Sequence, residues 1–454
     1  MTLSHFSAVE SNPEVLAPIA PCIVGRSLTS FMMKAESLVP GLLLALAACH
    51  PSLQPDRAPT PDSLRVRRDV EWLASDAREG RGTGTAGNDS SAAWIARRYA
   101  SLGLVAMTPG FVQPFVAHPV PAHSGGAARS LPTQNVIAML RGSDPSLAGE
   151  YVIVGAHFDH LGRSTEGAMD PEARDAIRNG ADDNASGTAA VLELARLLRA
   201  SPPRRSVIFA NFTGEELGLL GSQYFTDHPT IPLDSAVAMV NFDMVGRLKN
   251  DKLIVYGVAT APELPALLDS ANVGTQLRLS AIGDGFGPSD HASFYAKNLP
   301  VLHFFTDIHD DYHRASDRAE KINAAGEARV LVLAERVVRS IANRPARLTF
   351  VRAPATQGVT MNREGSNVWL GSVPDMSAGD VKGLRLTGVR AGSPAEKGGL
   401  AAGDVIVEFG GKEVTDIYSY TNALYSHKPG DAVGVVVLRD GKRVTRTVTL
   451  TTRP

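Results

Sequence analysis

A chain of 454 residues has room for two or three domains, each with its own core. With 45 Lys and Arg against 47 Asp and Glu, it carries no basic footprint for nucleic acid and no polybasic patch for a membrane surface. Its hydrophobic content of 44% is that of a globular protein, and both cysteines, Cys22 and Cys49, lie near its start, so any metal in the body must be held by His, Asp and Glu.

In chain order, Lys34 precedes the short apolar run Leu42–Ala48, which is closed by small residues as an export signal requires and is too short to span a bilayer. Leu46-Ala-Ala-Cys49 resembles the lipobox of bacterial lipoproteins, which implies a lipid on Cys49 as the sole tie to a membrane. The expected location is therefore exported: periplasmic, anchored to the outer membrane, or secreted. Residues 1–61 are read as this leader and a Pro-rich tether. From Ser63, Val66, Val70, Leu73 and Ala74 share one helical face. Gly80–Gly87 reads as a flexible loop, weak as a phosphate cradle because no Lys follows it. Ala92–Leu102 is a second amphipathic helix, and Asn135–Leu140 and Tyr151–Ala156 are buried strands.

Strands and helices then alternate: helix Ala185–Arg199, strand Ser206–Phe212, a helix near Leu217–Phe225, strands Ala236–Phe242 and Lys252–Gly257, helix Glu263–Ala271, strand Val301–Phe305 and a long helix from about Ala319 to Asn343. The expected fold is an α/β domain over 62–345, a central mostly parallel sheet flanked by helices on both faces. A linker is placed at 346–364. Residues 365–454 change character, with short strands at Val381–Arg390, Val405–Phe409, Ala432–Arg439 and Val444–Leu450 and one helix around Ser419–Ser426, so this is a small β-rich domain.

Strand Val207–Phe212 ends in Thr213-Gly214 and delivers two adjacent carboxylates, Glu215 and Glu216, where ligands of open α/β sheets sit. Neighbouring side chains face different ways and can hold different tasks; taken alone, the pair could equally be acids favoured by a helix dipole. Four other stretches place similar groups at strand ends or ahead of a helix: His157-Phe-Asp159, Asp182-Asp183-Asn184, Asn241-Phe-Asp243 and Tyr312-His313. Asp182-Asp183-Asn184 alone would pass for helix capping, and His157 alone for a core histidine. Together they offer mixed nitrogen and oxygen donors that suit zinc, and a carboxylate bridging two zinc ions forms a clamp for hydrolysis.

The order His-x-Asp, Gly-Ala-Asp-Asp-Asn-Ala-Ser-Gly, Gly-Glu-Glu, Asn-Phe-Asp and Tyr-His resembles the co-catalytic di-zinc aminopeptidases, the group of secreted leucyl aminopeptidases, aminopeptidase Y and the glutamate carboxypeptidase II relatives, over roughly Asp62 to Asn343. The resemblance implies two Zn2+ ions, one on His157 and Asp243, the other on Glu216 and His313, with Asp183 bridging. It implies Asp159 as the partner that orients His157, Glu215 as general base, Tyr312 as oxyanion donor and a cis peptide bond between Asp183 and Asn184. Asp290-His291 fits a family segment lining the site, with His291 not a ligand; His160, His303 and His309 are read as structural or exposed imidazoles. The implied activity is release of N-terminal residues from peptides. The alternatives are a carboxypeptidase or N-acyl amide hydrolase of the same fold, a single-zinc glutaminyl cyclase, or a receptor-like protein without catalysis.

Val389 to Lys412 resembles the PDZ domains of bacterial periplasmic proteases, with Leu370-Gly371 where that family keeps its carboxylate-binding loop. The resemblance implies a groove for the C-terminus of a partner or substrate, taken up by strand addition.

Overall fold

A computed structural model describes residues 59–119, 129–353 without 166, 171 and 286, 368–374, 382–415 without 391, 419–420, 423–424 and 426–452. The leader and the Cys49 lipobox lie outside the described residues, as do Thr421, Asn422 and Tyr425 of the helix expected at Ser419–Ser426, where residues 419–420 and 423–424 are helical.

The first domain is a nine-stranded mixed sheet clothed by helices. In chain order it comprises α1 (Ser63–Leu73), α2 (Ala86–Ser101), β1 (Val105–Ala106), β2 (Val112–Ala117), β3 (Leu131–Leu140), β4 (Tyr151–His157), α3 (Gly187–Ala200), β5 (Ser206–Phe212), α4 (Leu220–Asp227), β6 (Ala236–Phe242), β7 (Lys252–Tyr256), α5 (Leu264–Asn272), β8 (Arg278–Ala281), α6 (His291–Ala296), β9 (Val301–Phe305) and α7 (Ala324–Asn343). The strand order is β1-β3-β5-β4-β6-β9-β7-β8, with β2 on β3. Parallel pairing holds for β5-β4-β6-β9 and for β7-β8, while β1, β2 and β5 meet β3, and β9 meets β7, antiparallel. The sheet is thus mixed, with its parallel part at the centre.

Side chains along a strand alternate between faces, and the core divides accordingly. Val152, Val154, Val207, Phe209, Val240 and Phe242 pack with α1, α2, α3, α5 and α7. Ile153, Ile208, Phe212 and Met239 pack with Phe225 of α4 and Phe294 of α6 on the other side. The central strands are buried on both faces, which is why they read as continuous apolar runs.

Residues 347–353, placed by the sequence in the linker, belong to this domain. Phe350 packs into the second face and Ala353 is buried there. The Val351 amide donates to Thr260 O at 2.9 Å and Arg347 Nη2 donates to Ala236 O at 2.6 Å. The apolar Leu348 and Phe350, among prolines and arginines, show no period but still find a bed.

The second domain comprises β10 (Val368–Trp369), β11 (Ser372–Pro374), β12 (Leu384–Val389), α8 (Pro394–Lys397), β13 (Val405–Phe409), β14 (Lys412–Glu413), β15 (Ala432–Arg439), β16 (Lys442–Thr449) and β17 (Thr451–Thr452). Its main sheet runs β11-β12-β13-β15-β16, with β11 at the edge, and its core includes Leu370, Leu386, Ile406, Phe409, Val435 and Leu450. No helix among the described residues is long and apolar enough to cross a membrane.

Candidate metal centre

The site forms at the carboxyl ends of the central parallel strands. β4 ends on His157, β6 hands over directly to Asp243, and β5 runs into Thr213–Glu216. Glu215 and Glu216 do not cap the next helix. They sit in a turn in which Leu219 N donates to Glu215 O at 3.0 Å, and α4 starts only at Leu220, so the helix-dipole account loses its geometry. Asp183 lies in the turn Ala181–Ser186 ahead of α3, and His313 in the loop after β9. The Asp183–Asn184 peptide bond is cis.

Side-chain stitches hold these ends together. Asn184 Nδ2 donates to Phe242 O at 3.0 Å, while its Oδ1 accepts from Gly187 N at 2.8 Å, so the turn is sewn to the end of β6 and to α3. Thr188 Oγ1 donates to His157 O at 2.9 Å. The backbone amides of Asp182 and Asp183 both donate to Asp317 Oδ2, at 2.8 and 3.1 Å. His313 is fixed through Nδ1 to Gly167 O at 3.0 Å.

The donor atoms fall into two sets that share Asp183. His157 Nε2 lies 3.5 Å from Asp183 Oδ1 and 3.4 Å from Asp243 Oδ1. His313 Nε2 lies 3.1 Å from Asp183 Oδ2 and 3.2 Å from Glu216 Oε2. Tetrahedral zinc with bonds near 2.0–2.1 Å keeps its ligand atoms about 3.3 Å apart, so both sets are spaced for a zinc ion. Asp183 presents a different oxygen to each. His157 Nε2 and Asp243 Oδ1 are buried without a hydrogen-bond partner, as two lone pairs awaiting a cation would be.

The electrostatics say the same. Burial would strip His157 and His313 of their protons, but Asp243 and Glu215 around the first, and Glu216 and Asp183 around the second, drive both rings well above the usual histidine range. Burial would raise Glu216 and Asp243, yet His313 and His160 hold Glu216 well below its usual value, and His157 does so for Asp243. Imidazoles that should offer lone pairs are being pressed to carry charge, which is the imbalance that dications correct.

Glu215 stands apart from both sets. Burial lifts its carboxyl well above the ordinary range, with Glu216, Asp243 and Asp290 adding to the effect against His157. Asp159 ties it to the first set: Oδ1 lies 3.6 Å from His157 Nδ1 and accepts from Glu215 N at 3.3 Å, and Oδ2 accepts from Thr83 Oγ1 at 2.8 Å. His157 Nδ1 itself donates to Asp159 O at 3.2 Å. The Tyr312 ring stacks on His313 at 3.9 Å, and burial beside Asp183 and Glu216 keeps its phenol protonated. His291 is buried and stacked on His303 at 4.4 Å, and burial pushes the neighbouring Asp290 carboxyl up to about 7. His309 Nε2 pairs with Asp182 at 3.1 Å.

Three residues of the site carry no signal in the sequence pattern. Arg81, inside the loop read as flexible, is fully buried and donates to Phe158 O at 2.7 Å, Leu73 O at 2.8 Å, Asn179 O at 2.7 Å and Gly180 O at 2.8 Å. It thereby clamps the segments that carry His157 and Asp183. Asp317 anchors the amides noted above. His160, read as a spare imidazole, is buried with Nδ1 2.7 Å from Glu216 Oε1.

Fold and donor set define the class: an α/β protein with an imidazole–carboxylate metal centre at the ends of its parallel strands. Residues 135–338 match the family model for peptidase family M28, and residues 357–450 match that for the PDZ domain. Over 288 residues, 63% of this chain and 57% of the relative, the sequence is 27% identical to leupeptin-inactivating enzyme 1 of Streptomyces exfoliatus. Over 184 residues, 38% of this chain and 37% of the relative, it is 29% identical to aminopeptidase YwaD of Bacillus subtilis. The matches thus span little more than half of these curated relatives, or less. An aminopeptidase from Aneurinibacillus sp. strain AM-1 shares the fold, with a TM-score of 0.52 at 18% identity over 65% of this chain and 97% of its own. Peptidase family M28 is thus what residues 135–338 resemble, and the PDZ domain is what residues 357–450 after them resemble.

Proposed function

We propose that this protein is a zinc-dependent exopeptidase that removes residues from the N-termini of peptides with a pair of metal ions. One observation carries the reading: Asp183 faces two separate donor sets with its two oxygens, while Glu215, beside both, belongs to neither. His157, Asp183 and Asp243 would hold one zinc, and Asp183, Glu216 and His313 the other. Zinc bound there supplies Lewis acidity to a water and to the peptide carbonyl. Glu215 takes the proton of the attacking water and returns it to the departing amine, a task that its raised affinity for protons suits. Tyr312 keeps its phenol hydrogen and offers it to the oxygen on which negative charge collects.

The apolar cluster Met244, Ile254, Tyr256 and Phe305, flanked by half-buried Ile282, Ile308 and Tyr312, adjoins two of the ligands along the chain, since Met244 follows Asp243 and Tyr312 precedes His313. In the second domain, β11 pairs only with β12 among the described residues, so an extended C-terminal peptide could add to its other edge, near Leu370, which is buried, and Gly371, whose φ of 80° turns the chain. Export and a lipid on Cys49 rest on the sequence alone, and the mass of the mature N-terminus tests them.

The activity is tested by p-nitroaniline release from free and N-acylated aminoacyl anilides, alongside zinc content. Free aminoacyl anilides are expected to be cleaved with two zinc ions per chain, and cleavage of the acylated ones alone would overturn the exopeptidase reading. Glu215→Ala is expected to keep its zinc and lose roughly 10²–10⁴-fold in turnover; full activity would remove the base assignment.

A further inference from the structure

We propose that His160 is a positioning residue for Glu216: its Nδ1–H grips one carboxylate oxygen, so that the other is held toward the metal beside His313. The inference rests on the reading of Glu216 as a zinc ligand and goes beyond it.

Distance separates a ligand from a ligand's support. The pairs assigned to zinc lie 3.1–3.5 Å apart, close to the ~3.3 Å that two atoms sharing a tetrahedral zinc adopt. His160 Nδ1 lies 2.7 Å from Glu216 Oε1. That is a charge-assisted hydrogen bond, and too short for two ligands of one ion. An ionised carboxylate only accepts, so the nitrogen facing it must carry the hydrogen and has no lone pair to give a metal. His160 and His313 therefore divide the Glu216 carboxylate: Oε1 goes to His160 and Oε2 to the His313 side.

The ring has been given a seat for this. His160 is 2% exposed and lies against Gly180, where an added Cβ would stand 2.5 Å from the ring's Cγ and Cδ2. Gly180 has a φ of 56°, and its carbonyl accepts from Arg81, whose own carbonyl accepts from His160 N at 3.4 Å. Backbone on both sides of the ring is thus fixed by the same buried arginine. Nε2 is buried with no hydrogen-bond partner, so the contact with Glu216 is what orients the ring.

The test uses the zinc-loaded full chain. Wild type, His160→Ala and His160→Asn are dialysed against graded chelator and zinc per chain is measured, with circular dichroism of the metal-free proteins as the check on folding. An asparagine Nδ2 occupies the place of the histidine Nδ1 and keeps the donor. The alanine variant is expected to release one of its two zinc ions at 10–100-fold lower chelator, to hold the other like wild type, and to be rescued largely by asparagine. If alanine and wild type release both ions together, the positioning role is overturned. If asparagine fails to rescue a folded protein, the hydrogen bond is not the cause and the proposal falls as well. Should the alanine variant not fold, His160→Leu takes its place, because it fills the seat of the ring without a donor and the same single loss is expected. A wild type that does not bind two zinc ions would instead refute the paired-metal reading, which keeps the two failures apart.

Discussion

The carboxylates of the site and Glu327 of α7 meet one difficulty in opposite ways. A buried carboxylate needs a cation or a proton. Asp243 and Glu216 have imidazoles beside them, whereas Glu327 is fully buried with neither oxygen hydrogen-bonded among the described residues. Burial pushes its pKa well above the usual value, and Asp182 and Asp69 push the same way. The folded protein therefore keeps this proton at pH values where the unfolded chain, titrating near about 4.3, has lost it. The contribution to stability is full below that pH and is lost as pH rises toward the folded pKa. Glu327→Gln removes the ionisation and keeps the shape. In urea melts of metal-free protein the variant should match wild type near pH 4 and exceed it at pH 8, the gap growing by up to about 1.4 kcal/mol for each pH unit until the folded pKa is reached. A constant difference across pH would mean that Glu327 is ionised in the folded state.

At the level of elements, the first turn of α3 decides how the site is assembled. A Cβ on Gly187 would stand 2.3 Å from Asn184 Oδ1 and 2.3 Å from Phe242 O. In an ordinary helix, alanine is better than glycine by about 1 kcal/mol. Here the sign should reverse: Gly187→Ala must displace Asn184, the neighbour of Asp183, and is expected to cost roughly 1–3 kcal/mol and to lower zinc content. Thermal melts and metal analysis check both. The same region shows what a sequence can and cannot disclose. Strands β5, β6 and β9 are read with the bounds observed, because apolar runs buried on both faces need no tertiary information. The starts of α3, α4 and α7 are read two to five residues early. The segments ahead of α3 and α4 are shaped by distant partners, Asp317 and Phe242 in the case of Ala181–Ser186, and that ahead of α7 ends where Asn323 Oδ1 caps Gly326 N at 2.9 Å. Edge strands β1, β2 and β8 escape notice, being short or, in β2, interrupted by Pro114. The candidate ligands are visible in the sequence because His157 and Asp243 stand at strand ends and Asp183, Glu216 and His313 stand in short polar motifs between regular elements. Arg81, Asp317 and His160 are not, since what they do is defined by atoms up to 135 positions away along the chain.

On the scale of the molecule, two cores stand on separate parts of the chain: the sheet domain through Ala353, and the smaller one from Val368 to Leu450. A domain with its own core folds alone. A chain ending at Ala353 is expected to fold, bind zinc and cleave aminoacyl anilides like the full protein. One ending at Asn343 should be less stable, having lost the Phe350 strap. If the PDZ groove recruits substrate, the shorter chain will fall behind on long peptides only; comparison of kcat/KM on anilides and on long peptides makes the distinction.

The guanidinium of Arg81 holds four backbone carbonyls through the protein's own hydrogen bonds. Small zinc modules depend on the metal for their fold and collapse under a chelator; here a built-in cation ties the segments that carry His157 and Asp183, so the protein is expected to stay folded after chelation at neutral pH, which circular dichroism checks.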